Sequence, residues 1–166
     1  KFSNTAGSTS HMSAVDADGN MVSLTYTLLN RFGSKVVLPG TGIIMNNAVS
    51  YFDPRPGYLT SIEPEKRINA SNMCPTICVK DQEAVFAVGA SGANQIVPCT
   101  MQITAFMLDF GMSIEKAFNT PRIDACGCNS IRADPEIGDK ILAELSIEFD
   151  LEIAQNLVFP KLYSCP

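Results

Sequence analysis

Apolar and polar residues alternate along residues 10–28 with the two-residue period of a strand. Val22, Leu24, Tyr26 and Leu28 fall on one side, and Met21, Ser23, Thr25 and Thr27 on the other. The alternation breaks at "DADGN", Asp16 to Asn20, whose Asp-Gly pair suits a hairpin turn. A calcium loop is the competing reading, but the glycine stands at the wrong position and the distal glutamate is missing. The segment "RFGSKVVLPGTGIIMNN" is punctuated by glycine and ends in a short apolar run, Ile43 to Met45. Residues 53–66 carry three prolines and a glycine and read as an exposed loop. Thr76 to Lys80 and Ala84 to Val88 flank "DQE" and predict a second hairpin.

After "GASGANQIVPCT" the period lengthens to that of helices. Thr100 is placed to cap a helix over 101–110, which Gly111 ends. Ser113 caps a shorter helix through Phe118, broken by "TPRID". Pro135 opens a third helix to about Phe149, with Ile137, Ile141, Leu142 and Leu145 on one face. The tail "LVFPKLYSCP" stops without a closing element. No repeat or interdomain linker is visible. Strands first and helices later predict a layered α+β fold rather than a wound parallel sheet.

With 166 residues, 46% hydrophobic and only 17% charged, the chain is one folded domain or a large piece of one. So little charge also implies that part of its surface is covered by something else. Twelve basic and 17 acidic residues give a net charge of −5 without a basic cluster, so no nucleic-acid partner is expected. No apolar run approaches the roughly 18 residues of a membrane span. The start, "KFSNTAGSTS", has no initiator methionine and no signal-peptide core, which suggests a chain that begins partway through a longer product. Cys74, Cys78, Cys99, Cys126, Cys128 and Cys165 are read as free thiols, with disulfides and a metal as alternatives. That reading favours the cytoplasm, with the periplasm or secretion left open.

The familiar catalytic signatures are missing: there is no G-x-S-x-G elbow, Walker loop or HExxH. No metal or cofactor is expected. His11, the sole imidazole, lies two residues from Thr9 and on the same side of a strand, an adjacency unlike a triad built from separate loops. It reads as a structural group. One scheme needs no histidine: an amino-terminal threonine attacks with its hydroxyl while its own α-amine, of reference pKa about 7.7, takes the proton. Such a threonine must first be freed from a precursor.

"TSHMSAVDADGNMVSLTYTL", followed in order by "FGS…PGTGIIMNN", "MCPTI", "VGASG" and "KAFNTPRID", resembles the small subunit of the gamma-glutamyltranspeptidase family, within the N-terminal nucleophile hydrolases. The similarity runs from Thr9 to about Asp124 and weakly to the end. It implies a four-layer αββα sandwich, here only its small-subunit portion. Residues 1–8 would then precede the processing site, and residues 9–166 would form a small-subunit portion incomplete at its C-terminus. By this resemblance Thr9 is the nucleophile released by cleavage of the Ser8–Thr9 bond, and Thr27 contacts its hydroxyl and amine. Gly92 opens the oxyanion hole. Ser71 and Asn72 fall where two serines hold the substrate α-carboxylate. The plainer reading of "SNMCPT" is the lead into a strand with a buried cysteine.

Several positions depart from the family pattern. Ala93 replaces the second oxyanion glycine, and keeps an N–H while restricting the backbone. The asparagine two residues after Thr27 falls on Leu29, with Asn30 adjacent. Ala48 replaces a glutamine. The acid that holds the glutamyl α-amine falls on Tyr51, and a neutral phenol cannot serve as that counter-ion. The expected activity is amide hydrolysis or acyl transfer from a small γ-glutamyl compound, with the large-subunit portion of the same precursor as partner. The alternatives are a non-catalytic relative or unprocessed fragment, which could self-associate, and an acylase or poly-γ-glutamate enzyme with another acyl specificity.

Overall fold

The computed structural model describes residues 7–66, 72–125, 129–154 and 164–165. Ser71, Cys126, Cys128, most of the upstream segment 1–8 and nearly all of the C-terminal tail lie outside them. The chain divides into two compact units, Lys1–Thr9 with Tyr26–Asn72, and Ser10–Thr25 with Met73–Pro166.

Two strands, β1 (Gly7–Val15) and β2 (Met21–Asn30), form the expected hairpin. Asp16 builds its turn: Oδ1 accepts from the backbone N–H groups of Asp18 and Asn20, both at 2.9 Å. The Asn20 side-chain amide donates to Oδ2 at 2.8 Å and is the main reason the Asp16 carboxyl lies below its ordinary range. The two faces of β2 are occupied against the usual order. Met21, Ser23, Thr25 and Thr27 are half-buried, whereas Val22, Leu24 and Tyr26 are about half exposed.

The second unit carries the core. β3 (Thr76–Lys80) and β4 (Glu83–Ala90) pair antiparallel from Thr76↔Val88 to Lys80↔Glu83, with an irregularity at Cys78/Val79. Their turn is only Asp81-Gln82, both left-handed (φ 52° and 67°), as a two-residue hairpin turn of the primed type requires. β4 starts at Glu83, one residue earlier than its pattern predicts, and is extended by pairing with β8 (Ser164–Cys165). Phe86, Val88 and Ala90 pack with Ile96, Cys99, Ile103, Ala117 and Phe118 into one buried cluster.

That cluster is closed by α1 (Ile96–Leu108) and α2 (Ile114–Asn119). The start of α1 corrects the capping expectation. Thr100 does not cap it; Thr100 is 2% exposed within the second turn, and its hydroxyl has no hydrogen-bond partner among the described residues. Pro98 is tolerated because the first-turn N–H groups have no intrahelical acceptor, so the helix runs back through it. Ser113 does cap α2, accepting from Lys116 N at 3.2 Å.

β5 (Ile123–Asp124), β6 (Ser130–Ala133) and β7 (Asp150–Ile153) form a third sheet with β6 in the middle. β6 is antiparallel to β5 and parallel to β7. The parallel step requires a crossover, which α3 (Asp139–Glu148) supplies. The predicted helix from Pro135 is split: Pro135–Ile137 is a 3-10 turn, and Gly138 (φ 104°) separates it from α3. Asp134 fixes that turn by accepting from Glu136 N at 2.9 Å, so Ile137 lies in the 3-10 turn and outside α3, which carries Ile141, Leu142 and Leu145. The fold is mixed α/β. None of Cys74, Cys78 and Cys99 is in a disulfide, and among the described residues no helix is long and apolar enough to cross a membrane.

The first unit is mostly irregular. Asn46 and Asn47 organise its turns, accepting from Ala48 N at 2.9 Å and Asn30 N at 3.0 Å through their side chains. The predicted exposed loop is closed by backbone pairing of Asp53 with Thr60 and Ile62, which leaves Ser61 fully buried.

Candidate active site

In the first unit, the hydroxyl of Thr9 donates to Thr27 Oγ1 at 3.0 Å. Thr27 Oγ1 also accepts from Leu29 N at 2.8 Å, so its own proton is free to point elsewhere. The second bond depends on Leu29 adopting a left-handed conformation (φ 70°) that few non-glycine residues take. Leu29 therefore acts as a kink at the end of β2, with Asn30 following it, exposed and tied to Asn47. Ser8 and Thr9 are both half-buried on β1.

Tyr51 ends the 3-10 turn Ala48–Tyr51, and its hydroxyl lies 3.5 Å from Asn72 Oδ1. Two positions that the resemblance assigns to the substrate α-carbon thus meet, a phenol and a carboxamide in place of an acid and a hydroxyl. Ser71 lies outside the described residues.

In the second unit, β4 leads into a turn made by Gly92 and Ala93. Gly92 has φ 131° and ψ 33°, a combination that excludes a side chain, and Ala93 follows at φ 55°. Gln95 N donates to the Gly92 carbonyl at 3.1 Å and closes the turn. A pair of successive main-chain N–H groups in such a turn can form an anion-binding concavity.

His11 is not in a catalytic arrangement. Its Nδ1 pairs with Thr25 Oγ1 at 2.8 Å and its Nε2 with Ser13 Oγ at 3.1 Å. A Cβ on Gly89 would overlap the ring, so any side chain there would have to displace the imidazole from β4. Ser23 joins the same contact, donating to the Val88 carbonyl at 3.2 Å. Burial holds the His11 pKa below its ordinary value, so the ring is neutral at neutral pH.

Among the described residues, no group of His, Cys, Asp and Glu is arranged to hold a metal ion. Two polar side chains that motif reading does not single out lie beside the Gly92–Ala93 turn. Gln95 Nε2 donates to Asp124 Oδ2 at 2.7 Å, and Asp124 is 2% exposed. Their signal in the sequence is slight: an amide opening a helix, and an acid in a short strand, where acids are uncommon.

A family model for gamma-glutamyltranspeptidase matches residues 2–155. The acylase ACY 1 proenzyme of Pseudomonas sp. (strain SE83) is 42% identical over 115 residues, 69% of this chain and 20% of that protein. The glutathione hydrolase proenzyme of Bacillus subtilis subsp. natto is 34% identical over 140 residues, 84% of this chain and 24% of that protein. The chain therefore spans only a minor part of the length of these curated relatives. Among solved structures, gamma-glutamyltranspeptidase from Pseudomonas nitroreducens complexed with L-DON superposes with a TM-score of 0.73 at 31% identity, covering 92% of this chain and 84% of that one. The chain belongs to the gamma-glutamyltranspeptidase family.

Proposed function

We propose that this chain is the nucleophile-bearing portion of an amidohydrolase or acyltransferase of the gamma-glutamyltranspeptidase type. The observation that carries this reading is the Thr9–Thr27 hydrogen bond, which sets the hydroxyl of the candidate nucleophile against a second hydroxyl on the neighbouring strand. Cleavage of the Ser8–Thr9 bond would convert the Thr9 amide nitrogen into a free α-amine. Thr9 Oγ1 then attacks the carbonyl carbon of an amide and passes its proton to that amine. The carbonyl oxygen becomes an oxyanion and accepts from the Gly92 and Ala93 N–H groups. Collapse breaks the C–N bond, the leaving amine takes the proton from the α-ammonium, and an ester remains on Thr9. Water or an acceptor amine attacks the ester and restores the threonine. A γ-glutamyl compound such as glutathione is the default acyl donor.

The same reading assigns residues 1–8 to the segment upstream of the cut and 9–166 to a small-subunit portion of a four-layer αββα sandwich. Its partner is the large-subunit portion of the same precursor. The exposed apolar row Val22, Leu24 and Tyr26 supports a covering element, as does the minor share of its relatives that the chain spans. The test uses the full-length gene product: N-terminal sequencing and intact mass, then hydrolysis of a γ-glutamyl anilide. A product beginning at Thr9 that releases the aniline supports the proposal. No product beginning at Thr9 and no hydrolysis would leave the non-catalytic alternative.

A second reading keeps the chemistry and changes the acyl group. Tyr51 favours it, because its phenol beside Asn72 offers no negative charge to a substrate α-ammonium. Here the preferred acyl chain lacks that ammonium. Comparing γ-glutamyl with glutaryl amides, which differ only in the amine, separates the two readings.

A further inference from the structure

Resting on that function, we propose that Gln95 and Asp124 form a strut that sets the shape of the Gly92–Ala93 turn, making both positioning residues for the oxyanion site. Gly92 and Ala93 take left-handed conformations outside any sheet ladder, and Gln95 N to Gly92 O at 3.1 Å is the bond that closes the turn. The side chain of Gln95 does not cap α1, although it stands at the N-cap position. It reaches instead to Asp124 Oδ2 at 2.7 Å.

The far end of the strut is rigid. Asp124 is 2% exposed and pairs in register with Arg132 of β6. Its neighbour Ile123 is gripped by Gln102 of α1 through both backbone groups, with Nε2 donating to Ile123 O at 2.7 Å and Ile123 N donating to Oε1 at 3.1 Å. Gln102 lies about two helical turns from Gln95. The helix is thus already fixed to β5 without Gln95, whose bond acts on the turn that precedes the helix. A buried carboxylate must be met by donors, and its demand for one orients the Gln95 amide. The same residue that supplies the turn-closing N–H is therefore held by its side chain.

The experiment uses the full-length, matured protein and an electrophilic amide analogue that titrates Thr9. Turnover of a γ-glutamyl anilide is expressed per labelled site, which removes any loss from misfolded or unprocessed molecules. Gln95→Ala and Asp124→Ala should lower kcat per labelled site by about 10- to 100-fold, with KM changed by less than about threefold, as expected when donors shift against a developing charge. Asp124→Asn, which still accepts from Gln95, should stay within about threefold of the wild type. Gln95→Glu should fail by opposing two carboxylates, and the double variant Gln95→Glu/Asp124→Asn should recover turnover by reversing the bond. Unchanged kcat per labelled site in Gln95→Ala, or a loss in KM alone, would overturn the strut. If Gln95→Ala does not mature, the Glu variant with and without Asp124→Asn decides: recovery supports the strut, and equal failure overturns it. Absence of labelling in the wild type would instead refute the nucleophile assignment.

Discussion

Thr9 is oriented by Thr27: the hydroxyl of Thr9 donates to Thr27 Oγ1 at 3.0 Å, and that oxygen is held by Leu29 N at 2.8 Å. Removing the acceptor frees the Thr9 rotamer. Thr27→Ala should lower kcat by about 10- to 100-fold, the usual scale for a lost orienting contact at a reacting group, whereas Thr27→Ser should retain most of it. Stopped assays on matured protein, normalised to the Thr9-titrated fraction, check this.

Gly89→Ala places a methyl group where the His11 ring sits. Overpacking of this kind costs about 1 to 3 kcal/mol. The companion change His11→Ala vacates the ring, so the double variant should be more stable than the sum of the single effects predicts. Urea denaturation of the four proteins in the cycle gives the coupling, and additivity would show that the contact does not matter.

His11 also predicts a pH dependence. Burial lowers its pKa from the ordinary 6.5 in the folded protein, so the unfolded chain holds the proton more tightly. Stability from this group is full above about pH 6.5 and declines as pH falls from there through the lowered folded value. Thermal melts between pH 7.5 and pH 5 should therefore show a steeper fall for the wild type than for His11→Asn, on the order of what one partly buried histidine contributes.

At the turn after β4 the two positions should differ in their tolerance of substitution. Gly92→Ala forces a Cβ into φ 131° and should cost at least about 1 kcal/mol in stability together with much of the turnover. Ala93→Gly relieves strain at φ 55°, roughly offset by the freedom glycine gains in the unfolded chain. Its melting temperature and kcat should stay close to wild type. Differential scanning calorimetry and the anilide assay separate these outcomes.

What could be read from the residues is what local chemistry dictates. The Asp16 turn, the β3–β4 hairpin and the Ser113 cap each depend on one or two neighbours, and each was legible as such. The start of α1 lies at Ile96 rather than after a Thr100 cap, because a first-turn proline such as Pro98 removes only an N–H that no helix uses. The helix expected from Pro135 is interrupted at Gly138, whose φ of 104° follows the turn that Asp134 caps. Thr9 and Thr27, 18 positions apart, are joined by one hydrogen bond, and the catalytic roles proposed for them await the experiments above. The contacts of His11 with Gly89 and of Gln95 with Asp124 join residues 78 and 29 positions apart, and no periodicity or cap announces them.

The reversed facing of β2 has a consequence for handling the molecule. A hairpin with serine and threonine half-buried on one face, and valine, leucine and tyrosine turned to water on the other, is wetted on the wrong side. On the proposed reading, folding of this chain is linked by mass action to the element that covers the row. Its melting temperature should climb with protein concentration, or with added covering chain, at fixed pH and salt. A value measured at one dilution would describe an encounter rather than a fold.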